Sequence, residues 1–288
     1  MASYPTVVRY IFGAFLGATI LGSTNLFAYE SDRYNRRTSE DDRYLSVAGG
    51  ISTPSITSAL GQNPAGLIFN NQAKVLVDVA SGNDNFNPLG YGGGFFTGNG
   101  SVGGGIALQG YNSQYDHSAG NLLLLNWGLA AEFTDLNLAW GFTGTYTIAN
   151  TGVGQGAGTS GGAWGLDTGI IFNPHGTSRF GLTAFQVVGG VDAWGAGYSY
   201  DPSPWATFTV DGIYAVYSKT SILKPGLSIH VSGFCLTSAY GYKFDGAGWG
   251  WMSEGLSVGV GFPIGYKWAV QGYYNQISKY FIGITMTL

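Results

Sequence analysis

Six polar side chains interrupt stretches that otherwise alternate between apolar and small residues: Asp78, Asn126, Glu132, Asp167, Asp211 and His230. Asp167 sits in "WGLDTGII" and Asp211 in "FTVDGIY". Groups of this kind can do acid–base chemistry, hold a cation, line a solute path or pair with a base. Catalysis lacks its other members, because no Ser-His-Asp order recurs with a nucleophile elbow. No metal site is built either: His117, His175 and His230 stand far apart with no close carboxylate spacing. Cys235 is the only cysteine, so no intrachain disulfide forms, and a small apolar filler near a strand turn suits it. The expected site therefore has no catalytic residue, no metal and no cofactor. What is left is pairing with Lys74, Lys224, Lys243, Lys267 or Arg179, or a polar lining for solute passage.

The elements that must position these groups have a period of two. In "EGLSVGVGF", Leu256, Val258, Val260 and Phe262 face one way, and Gly255, Ser257, Gly259 and Gly261 the other. "YKWAVQGYY" and "YFIGITMTL" repeat the pattern, the second with Ile282, Ile284 and Met286 on the apolar face. Such alternation marks strands greasy on one face and wet or crowded on the other. Upstream, the same reading gives segments at 74–81, 90–97, 101–110, 120–133, 136–148, 162–172, 178–188 and 191–200. It continues through 205–217, 223–233, 235–245, 254–262, 265–275 and 278–288. "TGNG", "TD", "NPHG" and "DPSP" supply apt turns between them. The count is fourteen, or twelve if "QVVGGVDAWG" and "VSGFCLTS" are each one bent strand.

Composition identifies the solvent for the apolar face. Only 10% of the 288 residues are charged, against roughly 25% in a soluble domain. Glycine numbers 49 and aromatic residues make up 15%, so the chain is neither disordered nor short of anchors. A soluble sandwich would carry charge on its solvated faces, whereas here those faces hold Gly, Ser, Thr, Ala and Asn. No apolar run beyond the N-terminus approaches the roughly 20 residues a membrane helix needs. The fold class implied is all-β: a transmembrane antiparallel β-barrel with apolar residues toward lipid and small or polar ones toward the lumen. A lipid-facing charge near the midplane costs about 2–4 kcal/mol for Arg or Lys, and less for Asp or Glu. That penalty places the six polar residues inside. Tyr91, Trp127, Trp205, Trp249, Trp251, Tyr266 and Tyr280, near segment ends, are the expected interfacial aromatics. A net charge of −4 offers no basic face for nucleic acid.

The domain plan follows. Residues 1–28, with Arg9 and the apolar "IFGAFLGATILG", read as a signal peptide; a single membrane helix there would need a longer core. Residues 29–45 are a charged N-terminal tail, 46–73 a plug-like segment, and 74–288 the barrel. Within 46–73, "NPAGL" is a rigid turn in a greasy frame. Pro64 fixes φ, Asn63 can bond its own backbone two residues on, and Leu60 and Leu67 can anchor either side. The turn either holds the segment across the lumen or is a plain periplasmic bend.

"SALGQNPAGLIF" resembles the N-terminal signature of the FadL-like outer-membrane superfamily, with Asn63, Pro64, Ala65, Gly66 and Leu67 as its core. "WGLDTGIIFNPHGTSRFGLTAFQVVG", "SILKPGLSIH" and "SEGLSVGVGF" are similar to later strands of that group. The superfamily includes long-chain fatty acid and aromatic hydrocarbon transporters, and shorter PorV-type and TraF-like barrels. The resemblance implies a Gram-negative outer-membrane channel for hydrophobic or amphipathic small molecules, whose ligand passes a plug and leaves sideways through the wall. The alternatives are a barrel docking another envelope protein, or a small-solute porin. The chain is shorter than the long members and has no long apolar loop; Trp249 and Trp251 are its candidate entry or partner contacts. Partners implied are outer-membrane lipids, a hydrophobic ligand and, on the docking reading, an envelope protein.

Overall fold

The computed structural model describes residues 50–55, 59–81, 88–111, 121–150, 161–188, 190–216, 219–231, 234–244, 255–265, 267–275 and 279–288. The expected signal peptide, the charged tail, Trp249, Trp251 and Tyr266 lie outside them.

The strands are β1 (Lys74–Ser81), β2 (Pro88–Gly98), β3 (Val102–Tyr111), β4 (Asn121–Phe133), β5 (Leu138–Asn150), β6 (Gly161–Phe172) and β7 (Ser178–Phe185). They continue as β8 (Ala193–Ser203), β9 (Ala206–Ala215), β10 (Thr220–Val231), β11 (Phe234–Phe244), β12 (Gly255–Ile264), β13 (Trp268–Asn275) and β14 (Lys279–Thr287). Each pairs antiparallel with its sequence neighbours, and β1 pairs β14 from Lys74↔Thr287 to Ser81↔Tyr280, closing the barrel. Closure leaves neither terminal strand as a sheet edge, the condition for strands to span lipid. The count is fourteen, not twelve. "QVVGGVDAWG" is broken by Gln186, whose φ of 56° ends β7, and "VSGFCLTS" contains the hairpin closed by Val231↔Phe234.

The predicted faces hold. Along β8, Ala193, Gly195, Gly197 and Ser199 are buried, while Trp194, Tyr198 and Tyr200 between them are exposed. Exposed aromatics gather toward the two ends, with Tyr198 and Tyr240 mid-strand between them. Trp127, expected at an interface, stands instead at the middle of β4. Phe133, Phe172, Phe180, Trp205, Phe234 and Trp268 lie toward the end where the chain enters β1 and leaves β14 (the terminal end). Tyr91, Trp164, Trp194, Tyr214, Tyr242 and Phe244 lie toward the opposite, loop end. Two aromatic girdles around an apolar belt are the surface of an outer-membrane-type barrel.

Pro225 falls inside β10 and has no N–H to donate. The β10–β11 register accordingly skips Lys224 and Pro225, while pairing with β9 continues through both.

Candidate functional site

The expected NPAGL bend is a 3₁₀ turn, Pro64–Phe69, capped by Asn63. Asn63 Oδ1 accepts from the Ala65 N–H at 3.1 Å, the predicted bond two residues on. Its Nδ2 donates to the carbonyls of Ile51 at 2.6 Å, Ile170 at 3.2 Å and Leu182. One side chain thus ties the turn to its own segment and to the inner face of β6 and β7. Gly66 is required for a reason the sequence did not reveal: a side chain there would enter the Pro54 ring.

The inward glycines are the seat of this segment. A β-carbon at Gly141 would lie 2.6 Å from the Pro64 carbonyl, and one at Gly128 would lie 2.7 Å from Leu60 and 3.0 Å from Leu67. Side chains at Gly103 and Gly181 would overlap the carbonyls of Leu67 and Ile51. Of the two roles open to inward glycine, room or close approach, strands β3 to β8 use close approach. Ala59, Leu60, Ala65, Leu67 and Ile68 join Leu76, Phe96, Ala107, Ala130, Ala139 and Ile171 in one buried apolar cluster. Ile51 joins a second cluster with Phe185, Ala193, Ile213, Ala215 and Ile222. Near the terminal end, the β6–β7 turn reaches over this packing. His175 Nε2 lies 3.1 Å from Glu132 Oε2, and its ring meets Phe69 edge-on at 6.4 Å.

The polar residues lie on the inward phase, but they do not converge on one point. Asp78, Asn126, Asp167 and Asp211 are buried. Asn126 donates to Gln109 Oε1 at 3.2 Å, and Asp167 Oδ1 accepts the Gln186 N–H at 2.6 Å. Asp211 stands opposite Lys224 in register, and both are buried. His230 shares the inward phase of Lys224 and Ser228 but is exposed at the terminal end of β10. It lies six residues beyond Lys224, roughly 20 Å along a strand, so it does not meet Asp211. Arg179 donates both to Ser199 at 3.1 Å and to the Asp201 carboxylate at 2.6–2.7 Å.

Sequence reasoning missed Gln186. Over Gly161–Asp167, β6 has no strand partner on its β7 side among the described residues, since that ladder runs only from Thr168↔Ala184 to Phe172↔Phe180. Val187 N–H instead bonds the Leu166 carbonyl at 2.7 Å, and Gln186 Nε2 reaches the Trp164 carbonyl at 3.3 Å. The Gln186 side chain lies over Gly165, where a β-carbon would come within 2.7 Å of its Oε1. The wall is therefore interrupted beside Asp167 and bridged there by Gln186 and Val187.

No protein-family model and no curated protein matches the sequence. Solved structures match the fold. The CymD monoaromatic hydrocarbon channel aligns at TM-score 0.59 and 12% identity, over 86% of this chain and 96% of its own. The P. putida toluene transporter TodX aligns at 0.55 and 11%, over 84% and 97%. The chain has the FadL-type barrel fold. The Ralstonia pickettii toluene transporter TbuX aligns at 0.51 and 13%, over 85% and 96%. At such identities the likeness is one of architecture, in accord with the resemblance read from Asn63–Leu67.

Proposed function

We propose that the chain is a channel of a Gram-negative outer membrane that admits hydrophobic or amphipathic small molecules, with the Asn63–Leu67 turn as the core of a plug. The observation that carries this reading is the interrupted wall at Gln186, in a barrel whose inner face packs against apolar residues of the N-terminal segment. A polar solute needs a continuous wet path along the barrel axis. An apolar one gains by leaving sideways into hydrocarbon, and a break in the ladder is where a wall can open. Unpaired backbone facing lipid costs several kcal/mol per group, so the three bonds from Gln186 and Val187 keep the break closed at rest. The structural neighbours named as hydrocarbon channels and toluene transporters support the same substrate class.

Uptake of a radiolabelled monoaromatic hydrocarbon by cells carrying the chain should exceed that of cells without it. Gln186→Gly should raise it further. Glycine suits a φ of 56°, so the barrel keeps its fold while the contact to Trp164 is lost. One net hydrogen bond of about 1 kcal/mol shifts an open–closed balance roughly fivefold, the increase expected. Equal uptake with and without the chain would reject the channel. Raised permeability to polar dyes instead would favour a small-solute porin.

A further inference from the structure

The outer surface of β2–β4 carries two cross-strand rows. One is Phe95–Ile106–Trp127, and the other is Thr97–Gly104–Leu129. Because the middle of the second row is a glycine, the surface sinks there into a groove of about 400 Å³. Phe95, Ile106, Trp127 and Leu129 wall it, and the backbone at Gly105 and Gly128 forms its floor. Among its lining residues only Thr97, with its hydroxyl, and Trp127, with its indole N–H, carry a polar side-chain group, and the groove holds no charge.

We infer that this groove is a seat for a single acyl chain of a membrane lipid, an inference that rests on the membrane placement proposed above. Three observations favour that occupant. The groove is continuous with the lipid-facing belt, since Phe95, Val102, Ile106 and Leu108 around it are all exposed. Its lining is almost wholly apolar, which matches a hydrocarbon chain, and it offers no charge to a headgroup. It is also too small for a second barrel: eight residues line it, against roughly 20–30 a side in a stable protein interface. The missing Gly104 side chain leaves a slot with walls to pack against, so a chain seated here makes dispersion contacts that a flat wall does not offer. The same two floor glycines hold Leu60 and Leu67 on their inner side, so one thickness of backbone separates the seated chain from the NPAGL turn.

Gly104→Leu fills the groove from the lipid side; its β-carbon meets the flexible end of Leu129 at 2.9 Å, leaving the ladder intact. Wild type and variant are purified in detergent, exchanged extensively, and their retained phospholipid is measured by mass spectrometry. The wild-type barrel should hold one acyl lipid more than Gly104→Leu. In vesicles of phosphatidylcholine brominated along its chains, Trp127→Phe should remove a quenched emission component from wild type and a smaller one from the Gly104→Leu background. Equal lipid retention and equal quenching in the two backgrounds overturn the seat. A dimer seen by light scattering for wild type and lost in Gly104→Leu assigns the groove to a second copy and overturns it as well. A chain that stays in the aqueous phase without detergent fails the membrane placement itself, a result separate from either.

Discussion

Replacing Asn63 and Pro64 together by alanine should release the N-terminal segment from the lumen while leaving the barrel closed. The Asn63 side chain accepts from Ala65 and donates to carbonyls of Ile51, Ile170 and Leu182, all of which alanine forfeits. Buried groups left without partners cost about 1–3 kcal/mol. Losing Pro64 adds roughly 0.4–1 kcal/mol through the freedom of the unbound turn. The wall is held by strand ladders that close through β1 and β14, and none of those bonds involves residues 63 or 64. The double variant should therefore still migrate as a heat-modifiable barrel on cold gels. Added protease should cut residues 50–73 roughly tenfold faster or more, since about 1.4 kcal/mol of local stability is worth a factor of ten. Conductance in planar bilayers should rise or become noisy. Gly141→Val approaches the same seat from the wall, where its side chain would strike Pro64, and should give the same phenotype. If both variants keep wild-type protease rates and conductance, the turn is an ordinary bend and the plug assignment falls.

The strands were legible because a wall between lipid and lumen forces a period of two, and nothing else in the chain imitates it. β1 matches its expected bounds, Lys74–Ser81. β7 does not, stopping at Phe185 rather than running to residue 188. Its end depends on Gln186 in a left-handed conformation, a state that glycine or asparagine advertises and glutamine does not. The Asn63 turn was legible because its bond is local, spanning two residues. Its seat was not, since an inward glycine can mean space or contact, and only the barrel register brings Gly103, Gly128 and Gly141 against it. The same limit applies to the polar residues. Phase alone places Asp211 inside, but choosing Lys224 among five candidate bases requires knowing which residues of β9 and β10 stand opposite. Glu132 and His175, 43 residues apart, carry no sequence signal of their contact.

Lys224→Met should be among the most destabilising single changes in the wall. Lys224 is 2% exposed and Asp211 1% exposed, and the two face each other in register on the inner surface. Asp211 leans over Gly197, whose inner side is also covered by Ile51, so the carboxylate has little room to move toward water. Methionine replaces most of the lysine stem but not its charge. The variant thus keeps the packing and removes the cation opposite a buried acid. Removing one partner of a buried ion pair typically costs about 3–5 kcal/mol, because the remaining charge is left uncompensated. Asp211→Asn should be damaging for the converse reason. The double variant, Lys224→Met with Asp211→Asn, carries neither charge and should recover much of the loss. Urea unfolding of the barrel in lipid vesicles measures this through the midpoint at constant slope. A double variant whose loss equals the sum of the two single losses would show that the residues do not act as a pair. Asp211 would then owe its burial to the backbone of the N-terminal segment at Ile51 and Ser52, and releasing that segment through Asn63 and Pro64 should destabilise the wall at β8 and β9 as well.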